Sequence, residues 1–97
     1  MSVLMDVFEE ELDRLNRQEI AYKEALKRVQ KGYISKKNIR GKVSYYLQWR
    51  EGEKVKSKHI SREELPEIEE QVQHRKQLEA SLRRVKEDQK KLRRVLK

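Results

Sequence analysis

The sequence predicts an α+β protein: a long N-terminal helix, a small antiparallel β-meander and a long C-terminal helix, the two helices forming an antiparallel coiled-coil hairpin. Three observations predict it. Apolar residues recur at steps of three and four over residues 1 to 31; the period drops to two between Tyr33 and Ile60; and a second three-four stripe runs from Ile68 to Leu96. The changes of period divide one helix-β-helix domain, residues 1–97, into a helix over 1–31, a meander over 33–60 and a helix over 61–97. With only 35% hydrophobic residues against 43% charged, no large globular core is expected, and narrow apolar seams bordered by charge are.

In the first helix the seam is Met1, Met5, Phe8, Leu12, Leu15, Tyr22, Leu26 and Val29, with Glu19 the one residue out of type. No proline interrupts it. Gly32 follows directly, where a left-handed residue ends a helix.

Within the meander, Val43, Tyr45, Leu47 and Trp49 alternate with Lys42, Ser44, Tyr46 and Gln48, the pattern of a strand with one buried face. A three-residue loop Arg50-Glu51-Gly52 with Gly52 left-handed sets Trp49 opposite Glu53, Leu47 opposite Val55, Tyr45 opposite Ser57 and Val43 opposite His59. That register gathers Lys54, Lys56 and Lys58 on the other face. A further strand from Tyr33 to Ile39, turning at Arg40-Gly41, completes three strands, because a lone hairpin is marginal in water.

The second helix opens on a capping box, Ser61 with Glu64, and a hydrophobic staple, Ile60 with Leu65. Pro66 removes one backbone donor in the first turns, so a local irregularity is expected there. Ile68, Val72, Leu78, Leu82, Val85, Leu92 and Leu96 carry the apolar stripe, with Arg75 and Gln89 as polar interruptions.

Charge is distributed unevenly along this layout. Residues 1–31 hold 6 basic and 7 acidic side chains, residues 61–97 hold 11 and 8, and residues 32–60 hold 8 and 2, so the β-segment alone supplies +6 of the net +8. The first helix runs from acidic to basic, as does the second, from Glu63-Glu64 to the run Lys90, Lys91, Arg93, Arg94 and Lys97. Antiparallel pairing sets opposite charges side by side at both ends; parallel pairing would set like against like. The basic C-terminal run therefore reads as a solvated, partly paired helix face in preference to a nucleic-acid arm.

A basic sheet surface remains. Lys36, Lys37, Arg40, Lys42, Arg50, Lys54, Lys56 and Lys58 form it, Tyr46 and Gln48 lie among them, and only Glu51 and Glu53 offset them. Such a surface attracts phosphate backbones through counterion release, and the expected partner is nucleic acid, DNA or RNA. Lysines on a small sheet also deter edge-to-edge pairing, with no ligand involved. Trp49 and Tyr45 share a face with Val43 and Leu47 and are assigned to packing rather than stacking.

No enzyme is expected. The sequence offers no nucleophile and base at a recognisable spacing, no phosphate-cradling glycine loop and no activated carboxylate pair. His59 and His74 have no second ligand at metal spacing, and no cofactor, metal or small-molecule substrate is expected. The absence of cysteine suits a reducing cytoplasm, and an opening followed at once by Asp6 and Glu9-Glu10-Glu11 suggests neither a signal peptide nor a membrane partner. Val3, Leu4, Val7, Ile20, Ala21 and Ala25 lie off the seam, which predicts a homodimer or higher homo-oligomer.

The stretch from Gly32 to Leu82 resembles a family of uncharacterised prokaryotic proteins, some of them associated with transposable elements. Val43-Ser44-Tyr45-Tyr46-Leu47-Gln48-Trp49-Arg50-Glu51-Gly52, then Lys54-Val55-Lys56-Ser57, then Ser61 to Pro66 carry the resemblance. It implies the fold and no activity; members often carry a cysteine cluster ahead of the tyrosines, which this chain lacks, so no metal or redox role transfers. The layout of helix, hairpin and antiparallel helix is also similar to that of prefoldin β subunits, whose coiled-coil tips hold unfolded clients. Val3, Leu4, Val7 and Phe8, meeting Val95 and Leu96, would be the equivalent tip, and an oligomeric scaffold or chaperone is the alternative function.

Overall fold

The computed structural model describes residues 3–29 and 31–97, with elements in the order α1 (Val3–Arg28), β1 (Tyr33–Ile39), β2 (Lys42–Glu51), β3 (Lys54–Ile60) and α2 (Leu65–Leu96). Two helices therefore flank a three-stranded antiparallel sheet of order β1-β2-β3. Contacts cluster into two compact units, one of Met1–Arg28 with Gln77–Lys97 and one of Val29–Lys76.

In the helical unit the shielded positions of α1 include Met5, Phe8, Leu12, Leu15, Tyr22 and Leu26, the residues of the expected seam; Met1 lies outside the described residues. Leu15 and Val85 are buried. One polar interruption from each stripe meets the other: Gln89, only 2% exposed, donates through Nε2 to Glu19 Oε1 at 2.9 Å and to Asn16 Oδ1 at 3.0 Å. A polar pair in an otherwise apolar seam selects one register, because a slip by one turn would leave the buried Gln89 amide without acceptors. Glu19 also accepts from Lys23 at 2.6 Å, and that bond first, then the one from Gln89, holds its carboxyl below the usual carboxylate range.

The helices of this unit run antiparallel, as the charge gradients require. Asn16 and Glu19 meet Gln89, while Tyr22 lines one groove with Ser81 and Val85. Close ion pairs such as Arg14–Glu11 and Lys27–Glu24 run along α1 itself, and attraction between helices comes from Arg14 toward Asp88 and Lys86 toward Glu19. Exposed charges of this kind bias orientation; the apolar seam supplies the cohesion.

In the sheet unit, the β1–β2 loop is Arg40-Gly41, at φ 53° and 80°. Two left-handed residues in a two-residue loop are the requirement of a type I′ hairpin, here met with arginine at a position that favours glycine or asparagine. The β2–β3 loop corrects the sequence-based expectation. Glu51 pairs with Lys54, so the loop is the two residues Gly52-Glu53, with Gly52 at φ 62°, and not the three residues Arg50-Glu51-Gly52. A left-handed glycine followed by a residue at negative φ fits the type II′ hairpin. Trp49 then faces Lys56, Leu47 faces Lys58, Tyr46 faces His59 and Tyr45 faces Ile60. The shift is three residues, an odd number, and it turns every side chain of β3 to the opposite face.

The inner face of the sheet carries the core. Leu47, Ile60 and Val72 are buried there, with Ile34, Tyr45, Trp49, Leu65 and Ile68 packed against them. Both helix boundaries facing the sheet are shorter than expected: α1 ends at Arg28 rather than residue 31, and α2 begins at Leu65 rather than residue 61. Ser61 Oγ does accept from the Glu64 amide at 3.2 Å, but this cap closes a separate turn, with Leu65 N bonded to Ser61 O at 3.0 Å. Pro66 has no N–H to return to residue 62, so regular α-helical bonding resumes only with Ile68 N to Glu64 O at 3.0 Å. Arg75, the other interruption of the second stripe, donates to the Val29 carbonyl at 3.2 Å, just beyond the end of α1.

Candidate nucleic-acid interface

The observed register separates the basic residues of the sheet into two sets. On the open face, opposite the core, lie Tyr33, Ser35, Lys37 and Ile39 of β1, Lys42, Ser44, Tyr46, Gln48 and Arg50 of β2, and Val55, Ser57 and His59 of β3. Lys36, Lys54, Lys56 and Lys58 belong to the inner face, beside Tyr45, Leu47, Trp49 and Glu51. Arg40 sits in the first loop and belongs to neither.

The inner-face lysines have more acidic neighbours than the Glu51 and Glu53 expected from the sequence. Lys56 Nζ is 2.8 Å from Glu51 Oε2, and Trp49 Nε1 donates to the other carboxylate oxygen at 3.2 Å. Those two bonds, Lys56 first, hold the Glu51 carboxyl below the usual range. Lys58 lines a shallow groove of about 350 Å³ with Leu47, Trp49 and Ile68, whose other walls are Glu64, Glu67 and Gln71 at the start of α2. A phosphate approaching this side meets three carboxylates with the lysines.

No such offset exists on the open face, where none of the twelve residues is acidic. Its centre is Tyr46, half-buried on the middle strand. The Lys37 ammonium lies 4.9 Å from the ring centroid, within cation–π range, and His59 meets the ring edge-on, with centroids 5.3 Å apart at 78°. Lys42 and Arg50, both exposed, stand four positions along β2 on either side. Tyr33, 56% exposed, pairs with Gln48 and so lies diagonal to Tyr46. Of the ten residues nominated from sequence, the structure brings Lys37, Lys42, Tyr46, Gln48 and Arg50 onto one surface.

Tyr33 and His59 belong to that surface and escaped the sequence reading. The expected register placed His59 against Val43, on the wrong face. Tyr33 was open to detection, because the Arg40-Gly41 turn alone sets it opposite Gln48.

Chemically, the face can offer cations to phosphates, an amide to a polar edge and ring faces to flat groups. Among the described residues, no three His, Asp or Glu side chains converge to hold a metal ion, and no helix is long and apolar enough to cross a membrane. Comparison with known proteins identifies a family described as a domain of unknown function (DUF6788), matched over residues 8–70. The match takes in most of α1, all three strands and the first turn of α2. No curated protein and no solved structure matches the chain.

Proposed function

We propose that this chain, which belongs to the DUF6788 family, is a non-catalytic nucleic-acid-binding or accessory module of the cytoplasm that acts through the open face of its sheet. The observation that carries the proposal is the composition of that face: Lys37, Lys42 and Arg50 around Tyr46, with no carboxylate among its residues. Cations so placed release counterions from a phosphate backbone, whereas the inner-face lysines compete with Glu51, Glu64 and Glu67 for the same charge. The surface is shallow and has no convergent acid and base, which supports binding rather than turnover.

Titrating labelled DNA and RNA with the full chain across a salt series tests this. Alanine at Lys37, Lys42 and Arg50 together is expected to weaken binding on the order of 10- to 100-fold at low salt and to flatten the slope of log K against log salt by roughly two to three units. Alanine at Lys54, Lys56 and Lys58 removes the same formal charge with a smaller effect. Equal losses from the two triples would exclude the open face as the binding surface.

One observation favours a second reading, self-association through the helical unit. Val3, Leu4 and Val7 near the start of α1 and Val95 near the end of α2 are each more than half exposed, a concentration of apolar side chains that suits a homo-oligomer contact. Sedimentation velocity is expected to show a species larger than the monomer that shifts toward monomer when Val3, Leu4 and Val7 are changed to serine. A monomer before and after the change would leave this reading without support.

A further inference from the structure

We infer that the open face takes unpaired nucleotides, a single strand rather than a duplex, with bases stacked on Tyr33 and Tyr46. The inference rests on the nucleic-acid reading above and adds to it the form of the ligand. Three observations lead to it.

Tyr46 occupies the middle of the face, with Tyr33 and His59 on the two strands beside it, while Lys42 and Arg50 stand toward the two ends of β2. Each strand contributes one ring: His59 on β3 is directly opposite Tyr46 on β2, and Tyr33 on β1 lies diagonal to Tyr46, paired with Gln48 two residues along. Duplex DNA hides its base faces in the stack and presents only edges and phosphates; ring faces at the centre of a site are useful to bases that have been separated.

Spacing makes the same distinction. Diagonal neighbours on adjacent strands are about 7 to 8 Å apart, roughly twice the ~3.4 Å rise between stacked bases along one strand. Tyr33 and Tyr46 therefore suit two bases of an extended strand drawn away from each other, and do not suit the continuous stack of a helix.

The third observation is the contact Tyr46 makes in the free protein. The Lys37 ammonium lies 4.9 Å from the ring centroid, and His59 meets the ring edge-on. A base entering there displaces the ammonium toward the adjoining phosphate, so the same lysine serves the ring when the site is empty and the backbone when it is filled. Gln48, between Tyr33 and Ser57, supplies a donor and an acceptor beside the stacked bases without selecting a sequence.

Fluorescence anisotropy with labelled oligo(dT), oligo(U) and a duplex, each about 12 nucleotides or base pairs long so as to cover one site, separates the possibilities. The full chain is expected to bind the single strands at least tenfold more tightly than the duplex. Tyr46→Leu and Tyr33→Leu should each weaken single-strand binding about tenfold, leave the salt slope unchanged and scarcely affect the duplex; Tyr46→Phe, which keeps the ring, should bind as the native chain does. Tyr33 is exposed, so its variant reports on stacking even if Tyr46→Leu disturbs the sheet. Equal affinity for single strand and duplex, or native binding by both leucine variants, would overturn the inference while leaving the nucleic-acid reading standing. Failure to bind any of the three ligands at low salt would overturn both.

Discussion

Gly32→Ala is expected to destabilise the protein by about 3 kcal/mol or more. Gly32 adopts φ 127°, and a Cβ there would lie 2.5 Å from the Gln48 carbonyl oxygen and 3.1 Å from Leu47 Cδ1. The oxygen is backbone in the central strand and cannot rotate away. Tyr33, the next residue, pairs with Gln48, so relieving the clash means moving the first rung of the β1–β2 ladder and the Leu47 side chain beneath it. The other two glycines provide the comparison. Gly41 and Gly52 are also left-handed, at φ 80° and 62°, but a Cβ at either meets nothing within 4 Å. Alanine there should cost only about 1 to 2 kcal/mol, the strain of the backbone alone. Urea unfolding followed by Trp49 fluorescence measures all three; a Gly32→Ala midpoint no lower than that of Gly41→Ala would mean that β1 does not begin against Gln48.

The contrast between Gly32 and Gly52 also shows what the sequence could and could not reveal. Its place directly after the apolar seam marks Gly32 as a helix stop. It does lie past the end of α1, but its main constraint is a contact with a strand sixteen residues later, which no local pattern encodes. Gly52 is the left-handed turn residue that the sequence predicts. Yet a left-handed glycine is required by both the three-residue loop and the type II′ loop, so its presence does not decide between them. What decides is which face of β3 packs, and the alternation there is nearly mute: Lys54, Val55, Lys56, Ser57, Lys58 and His59 contain one apolar residue, and Val55 proves to be exposed. The one strong signal was Ile60, buried opposite Tyr45. Ile60 shares a cluster with Leu65 at the start of α2 and also anchors the end of β3.

The helices were legible for the converse reason. Their apolar positions repeat over many turns, so the seam survives a few polar interruptions, and Glu19 and Gln89 proved to be each other's partners. Which polar residue answers which across two helices depends on register, and register depends on the length of the connection, so the pair was visible as two exceptions and not as one contact. The candidate site inherits the same asymmetry. Its β2 members, Lys42, Tyr46, Gln48 and Arg50, followed from alternation within one strand; assigning members on β3 needed a pairing that the sequence left open.

Leu47→Ala should cost about 2 to 5 kcal/mol, the range for truncating a large buried aliphatic side chain. Leu47 is 4% exposed at the centre of β2, in the cluster with Ile60 and Val72. Nothing nearby can close the space readily, because its neighbours are held by strand pairing on both sides and by α2 above. For a domain whose whole stability is about 5 to 15 kcal/mol, such a loss is a large fraction, and the melting temperature should fall by roughly 4 to 8 °C for each kcal/mol. Its neighbour Tyr46 points the opposite way. Tyr46→Leu leaves the inner core untouched and should lower the urea midpoint far less, while removing most single-strand binding. Leu47→Ala, studied at a temperature where it remains folded, should keep its oligonucleotide affinity. Two adjacent residues of one strand are thus expected to divide folding from binding, because side chains alternate between the two faces along β2. Folded Leu47→Ala that no longer binds, or a Tyr46→Leu midpoint as low as that of Leu47→Ala, would contradict the assignment of binding and core to opposite faces.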